Sequence, residues 1–363
     1  VKRSLQDKLN QRKKEGTLRS LICLDDLVDF WSNDYLGLSK KKISVEYQEK
    51  THGSTGSRLI SGNSDVIVSF EGFLSRYFRS EAALCFNSGY DANLGFFSAV
   101  PQKGDLVLYD EQIHASIRDG IRLSFASGIG FRHNDLNDLT DKLRRASEKY
   151  DCIYIVVESL YSMHGDFAPL SELTKICDNE RVFLVVDEAH SIGIFGENGV
   201  GLSAEFCKEI FARIITFGKA FGAHGAAVLG TDDLREYLIN FSRPFIYTTA
   251  LPVSNWQRLE KILKSDLTEE REILKKNIEI FNTLTDGIWM FSSKESQIQG
   301  LRLGNREKLQ KGQEDLRKKG FAVKAIYSPT VSEANECLRI NLHSFNTPAE
   351  ICQLAKEIRR LYS

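Results

Sequence analysis

The chain has 363 residues, 42% of them hydrophobic and 27% charged, a globular composition long enough for one large domain and a smaller companion. Its formal charge of -1 gives no basic excess for a nucleic-acid partner, and no apolar run approaches the length that spans a bilayer. A small-molecule substrate is the expectation that remains, with no nucleic-acid and no membrane partner.

The opening Val1-Lys2-Arg3-Ser4-Leu5 lacks the apolar stretch of a secretory leader, and the seven cysteines form no C-x-x-C pair. Reduced, mostly buried thiols and a cytoplasmic location are therefore expected. Residues 3–20 carry Leu5 and Leu9 among basic residues at helical spacing, which predicts an amphipathic arm lying against something larger. After Asp34-Tyr35-Leu36-Gly37-Leu38, apolar runs at Ala82–Phe86, Leu106–Tyr109, Ile153–Val157, Val182–Val186 and Ile214–Phe217 alternate with helical patterns. Strands covered on both faces read as such continuous apolar runs, so the pattern predicts an α/β fold with a mostly parallel central sheet and helices on both sides. From about Leu251 the chain turns to long charged helical stretches, Arg258–Leu263 and Glu307–Lys319, then a strand at Cys337–Leu342 and a last helix from Pro348. These give an N-terminal arm over 1–38, a large domain over 39–250 and a smaller α+β domain over 251–363.

Three segments carry chemistry. In Val182–His190 an apolar strand ends in Asp187, with His190 three residues later, and strand ends are where open α/β sheets present ligand groups. A helix cap at Asp187 with a loop histidine is an equal alternative, and a metal pair would need further ligands that the spacing does not supply, so no metal site is expected. In Arg213–Gly222 a strand runs into Lys219, which Gly218, Gly222 and Gly225 surround. Ala220 stands where a nucleotide-binding loop needs a magnesium-binding hydroxyl, which speaks against nucleotide hydrolysis. A lysine enclosed by glycines at a strand end suits a Schiff-base amine instead. In Leu84–Asn93 a strand, a small-residue turn and a helix start offer free N–H groups to a phosphate. An anion cradle, an acid at a strand end and an enclosed lysine, in this order, are what pyridoxal 5'-phosphate (PLP) requires.

At this point the chain resembles the α-oxoamine synthases, PLP enzymes of the aspartate-aminotransferase fold that condense an amino acid with an acyl-CoA and release carbon dioxide. The resemblance runs from Asn33–Leu38 through Gly53-Ser54-Thr55-Gly56-Ser57-Arg58-Leu59-Ile60-Ser61-Gly62, Ser88-Gly89-Tyr90, His114-Ala115-Ser116, Ser162–Asp166, Asp187–His190 and Thr216–Gly222 to Pro329-Thr330-Val331 and Leu338-Arg339-Ile340. It implies that Lys219 carries the cofactor, Asp187 pairs with its pyridine nitrogen, His190 bonds its phenolic oxygen and His114 stacks on its ring. It assigns the phosphate to Ser88, Gly89, Tyr90 and Thr216, with Thr248 reaching in from a partner subunit, so that a homodimer forms the site. Ser162 falls at a cofactor-neighbouring position, Arg339 at the substrate carboxylate, and Asn33 and Arg19 near the substrates.

Within the family, the branch that joins L-alanine to pimeloyl-CoA in biotin synthesis is favoured. Branches using glycine or serine share almost every residue named, and an ordinary aminotransferase or a catalytically silent subunit are the remaining readings. Two departures bear on the acyl group: His164 replaces the usual acid, and the stretch between Arg19 and Phe30 is shorter than is typical.

Overall fold

A computed structural model describes residues 2–19, 21–23, 26–43, 53–328 and 330–362; Val1 and Pro329, named above, lie outside this set. By packing the chain forms two compact units, one of Asn33–Ser162 and Asp166–Leu274, the other of Val1–Ser32, Met163–Gly165 and Lys275–Ser363.

The larger unit is built on a seven-stranded sheet: β1 (Ala82–Phe86), β2 (Leu106–Asp110), β3 (Ser127–Phe131), β4 (Ile153–Glu158), β5 (Val182–Asp187), β6 (Ala212–Thr216) and β7 (Ala226–Gly230). Their order is β1-β7-β6-β5-β4-β2-β3. All pairs are parallel except those that β7 makes with β1 and β6, so the expected mostly parallel α/β sheet is what forms. The five anticipated strands coincide with β1, β2, β4, β5 and β6. Two were not anticipated. β3 is an edge strand, Ser-Gly-Ile-Gly-Phe, whose first three residues are exposed and so lack an apolar run. β7 is short, begins with two alanines and follows β6 after nine residues, too soon for a helical crossover; the antiparallel return explains the short connection.

Helix Val253–Lys264, placed beyond the expected boundary at 251, packs with the larger unit. Trp256 sits 5.7 Å from Phe70 between ring centroids, and Arg258 donates to the carbonyls of Gly222 and Leu38. The division by packing consequently comes at Lys275.

The smaller unit holds a three-stranded antiparallel sheet of β8 (Ile298–Leu301), β9 (Lys324–Ile326) and β10 (Cys337–Asn341), in the order β9-β10-β8. Helices Arg306–Lys318 and Pro348–Tyr362 belong to the same unit, giving the anticipated α+β character. Val28–Asp29 pairs with Phe321–Ala322, and Asn341 N–H donates to the Phe30 carbonyl, which ties the segment before Asn33 to this unit. Helix Lys2–Lys14 leaves Leu5 and Leu9 60% and 47% exposed, so its apolar side is not covered within one chain. Of the seven cysteines, Cys85, Cys177 and Cys337 are buried, whereas Cys23 and Cys352 are exposed; all are free thiols, and fewer are buried than expected. Among the described residues, no helix is long and apolar enough to cross a membrane.

Candidate active site

Side chains alternate between the faces of a strand, and that alternation decides which residues the larger unit gathers. Tyr154 and Val156 of β4, Val185 of β5 and Ala212 and Ile214 of β6 pack on one face, together with Phe96, Phe97, Ile117 and Ile121 of helices Gly89–Ala99 and Ala115–Leu123. Ile153, Ile155, Val157, Leu184 and Val186 face the other way into a second core. Continuing the first series to the carboxyl ends of the strands puts Glu158, Asp187 and Thr216 on the same face. There they line one pocket with Gly89, Tyr90, His114, His190 and Lys219.

Each group is held by partners that define its chemistry. Ser88 is the N-cap of helix Gly89–Ala99, accepting from Asp91 N–H at 3.1 Å. A Cβ on Gly89 would sit 3.4 Å from Thr216, so a side chain there would crowd the helix N-terminus against β6. Thr216 donates its hydroxyl to the Gly225 carbonyl at 3.3 Å, and Tyr90 donates to Asp119 at 2.6 Å. Beyond β6 the chain turns at Gly222 with φ +55°, where a Cβ would meet Ser39 N at 2.2 Å; the close backbone approach demands glycine.

Asp187, almost fully buried, accepts from Asn93 Nδ2 at 2.8 Å and from Ala189 N–H at 2.9 Å. Asn93 also donates to Ser116 Oγ at 3.1 Å, and Ser116 Oγ lies 2.7 Å from His114 Nδ1. That nitrogen also accepts from Ser116 N–H at 3.2 Å, because His114 is itself the N-cap of helix Ala115–Leu123. An Nδ1 that accepts leaves the proton of the neutral ring on Nε2. Burial, then the Lys219 charge, lowers the His114 pKa, which favours this neutral ring.

Lys219 Nζ lies 2.8 Å from His190 Nε2, and His190 Nδ1 lies 2.7 Å from Tyr35 Oη. Tyr35 donates its single hydroxyl proton to Asn33 Oδ1 at 3.0 Å. The hydroxyl oxygen therefore accepts from His190 Nδ1–H, which turns the Nε2 lone pair toward Lys219.

The pocket brings together Gly89, Tyr90, His114, Asp187, His190, Thr216 and Lys219. Ser88 caps the helix at its edge. Ser162 is buried and donates its N–H to Glu158 Oε2 at 3.1 Å, and Asn33 reaches His190 through Tyr35. Thr248 is half-buried and does not line its own chain's pocket. Arg19 and Arg339 belong to the smaller unit. Arg19 is exposed and donates to Thr330 Oγ1 at 3.3 Å. Arg339 lies on β10, the central strand of its three-stranded sheet, and is 7% exposed. His164 is buried in that unit, 5.2 Å from the Phe291 ring.

Sequence reasoning missed Asn93, Ser116, Tyr35 and Glu158 as site residues. Glu158 had a signal, since it ends an apolar strand as Asp187 does. The other three are ordinary polar residues whose meaning lies in partners distant along the chain.

This donor set fits PLP. An amine that can couple to an aldehyde, an acid held in place by two N–H donors, a neutral imidazole and a capped helix N-terminus beside a threonine all converge on one pocket. The helix, eleven residues long, supplies free N–H groups for a phosphate.

This architecture, a mostly parallel sheet presenting a lysine and an acid at the carboxyl ends of its strands, is that of the aminotransferase class I and II family, to which the chain belongs; the family model matches residues 25–358. Within it the relatives are α-oxoamine synthases. The 8-amino-7-oxononanoate synthase of Emericella nidulans is 36% identical over 388 residues, covering 98% of this chain and 94% of its own. Among solved structures, the 8-amino-7-oxononanoate synthase of Francisella tularensis is 32% identical with a TM-score of 0.79, covering 93% of this chain and 98% of its own. A serine palmitoyltransferase of S. paucimobilis, solved with PLP and myriocin, is 25% identical with a TM-score of 0.89, covering 99% and 96%.

Proposed function

We propose that this chain is a PLP-dependent acyltransferase that condenses L-alanine with pimeloyl-CoA, releasing CoA and carbon dioxide and leaving an α-amino ketone for biotin synthesis. The observation that carries the reading is Lys219, placed at hydrogen-bond distance from His190 in the pocket that Asp187 and His114 also line. The bound cofactor supplies an electron sink for the carbanion formed at the amino-acid Cα. Asp187, oriented by Asn93 and Ala189 N–H, would pair with the cofactor's ring nitrogen. His114 offers a neutral ring face, and Ser88, Gly89, Tyr90 and Thr216 would hold the phosphate. Lys219 would take the Cα proton and later return one, with the His190 Nε2 lone pair directed at its nitrogen, and His190 is also assigned to the cofactor's phenolic oxygen.

Arg339 is assigned the substrate carboxylate, for which a planar guanidinium is the suited donor. Arg19 and Asn33 are assigned to the neighbourhood of the substrates and Ser162 to that of the cofactor. The position of Thr248 away from its own pocket and the uncovered Leu5 and Leu9 support a homodimer in which Thr248 serves the partner's phosphate. The expected setting is the cytoplasm.

The test is a panel of L-alanine, glycine and L-serine against acyl-CoA esters, scored by free CoA, with borohydride trapping and peptide mapping of the loaded protein. CoA release that is greatest with L-alanine and pimeloyl-CoA, with the label on Lys219, is expected. Preference for glycine or serine moves the chain to another branch of the family. Turnover with a keto acid and no CoA ester, or a label on another lysine, overturns the proposal.

A further inference from the structure

Glu158 lies in the same pocket without a part in the reading above. It ends β4 as Asp187 ends β5, and the two residues are register partners across the parallel pair, so both point to the same face. Its side chain is 3% exposed. Oε2 accepts from Ser162 N–H at 3.1 Å, while Oε1 is buried with no hydrogen-bond partner among the described residues. Glu158 nonetheless lines the pocket. Buried carboxyl oxygens without partners are costly, and one on a ligand pocket's wall awaits a group that the ligand brings.

We propose that Glu158 is a ligand-contacting hydrogen-bond donor, whose Oε1 hydroxyl bonds an oxygen acceptor on the molecule held in this pocket. The inference rests on the cofactor reading above and extends it. Two carboxylates on neighbouring buried strands cannot both ionise at little cost, and the donors decide which one keeps its proton. Asp187 has two N–H donors, one from Asn93 and one from Ala189; Glu158 has one. Burial first, then the Asp187 charge, raises the Glu158 carboxyl to about 8, with Asp110 adding to the rise and Lys219 and Ser162 N–H opposing it. Further titratable groups near it are His114, His190 and Tyr90 on the pocket wall and Tyr161. With Oε2 accepting from Ser162, the acid proton resides on Oε1. Asp187, held by its two N–H donors, is left to the ring nitrogen, and Glu158 serves a neutral oxygen or a phenolate.

The experiment is a fluorescence titration of apoprotein with PLP at pH 7 and pH 9, for wild type, Glu158→Gln and Glu158→Leu, followed by spectral titration of each loaded protein with L-alanine. Glutamine keeps a neutral donor but cannot ionise. Glu158→Gln should bind within about threefold of wild type at pH 7, and Glu158→Leu about tenfold more weakly. Between pH 7 and 9 wild type should lose about tenfold more affinity than Glu158→Gln, since only wild type gains a second buried anion. A loss confined to the L-alanine titration places the acceptor on the substrate and one confined to PLP places it on the cofactor; both support the donor role. Should the leucine variant not fold, the pH comparison of wild type with Glu158→Gln decides alone. Parallel pH dependence of those two, or equal weakening in glutamine and leucine variants, overturns the inference while leaving the cofactor reading intact. A wild type that takes up no PLP overturns both.

Discussion

Tyr35→Phe removes one oxygen and leaves the ring, so it isolates the hydroxyl that sets the His190 tautomer. Tyr35 is fully buried, and its Oη lies between His190 Nδ1 at 2.7 Å and Asn33 Oδ1 at 3.0 Å. Deleting it takes a buried acceptor from Nδ1–H, a loss of about 1–3 kcal/mol. The preference for the Nδ1–H tautomer falls by the same amount, about 5- to 150-fold, and with it the fraction of rings that direct a lone pair at Lys219. Two measurements read this. Nitrogen-15 chemical shifts of labelled histidine in the apoprotein should show His190 moving from Nδ1–H toward a mixture of tautomers. In the loaded enzyme, the rate of CoA release should fall about threefold or more, in step with the fraction of Nδ1–H rings, because Lys219 has lost the acceptor that steadies it for proton transfer. Retention of the Nδ1–H tautomer, with a rate within about twofold of wild type, would refute the argument that the Tyr35 hydroxyl sets the ring.

Two further outcomes follow from named contacts. Arg339→Lys keeps the charge but not the planar fork, and amino-acid affinity in a spectral titration should weaken on the order of 30- to 1000-fold while the acyl-CoA term holds; unchanged affinity removes Arg339 from the substrate. His133 sits between Asp110 and Asp166 at 2.9 and 2.6 Å; burial pulls its pKa down, but hydrogen bonds to these two carboxylates outweigh that and raise it to about 9. Its contribution to stability is then fully present below the unfolded value near 6.5 and is lost as pH rises through about 9. Allowing for solvent screening of a partly exposed ring, the contribution is on the order of 2 kcal/mol. His133→Gln should be less stable than wild type at pH 6 and converge on it near pH 9.5 in thermal melts, and a pH-independent gap would count against the ion pairs.

The reach of sequence reasoning here followed the range of the forces it can see. Burial on both faces leaves a local trace, so the runs at Ala82–Phe86, Ile153–Val157 and Val182–Val186 were legible as strands. Asp187 and Lys219 stood out because polarity changes abruptly where those strands stop. The edge strand β3 left no such trace, because its exposed residues need not be apolar. Hydrogen-bond partners leave none either. Asn93 and Asp187 are 94 residues apart and Tyr35 and His190 are 155 apart, and nothing local to either residue names the other. Whether Arg339 was a surface charge or a buried one depended on strand order, which sets β10 between two neighbours. By itself the sequence determined which residues could bind a cofactor and which elements carried them to strand ends. Only the tertiary structure decided that Glu158 and Asp187 share one face and that His190 stands between Tyr35 and Lys219, because those pairings depend on which donors and acceptors folding brings within hydrogen-bond distance.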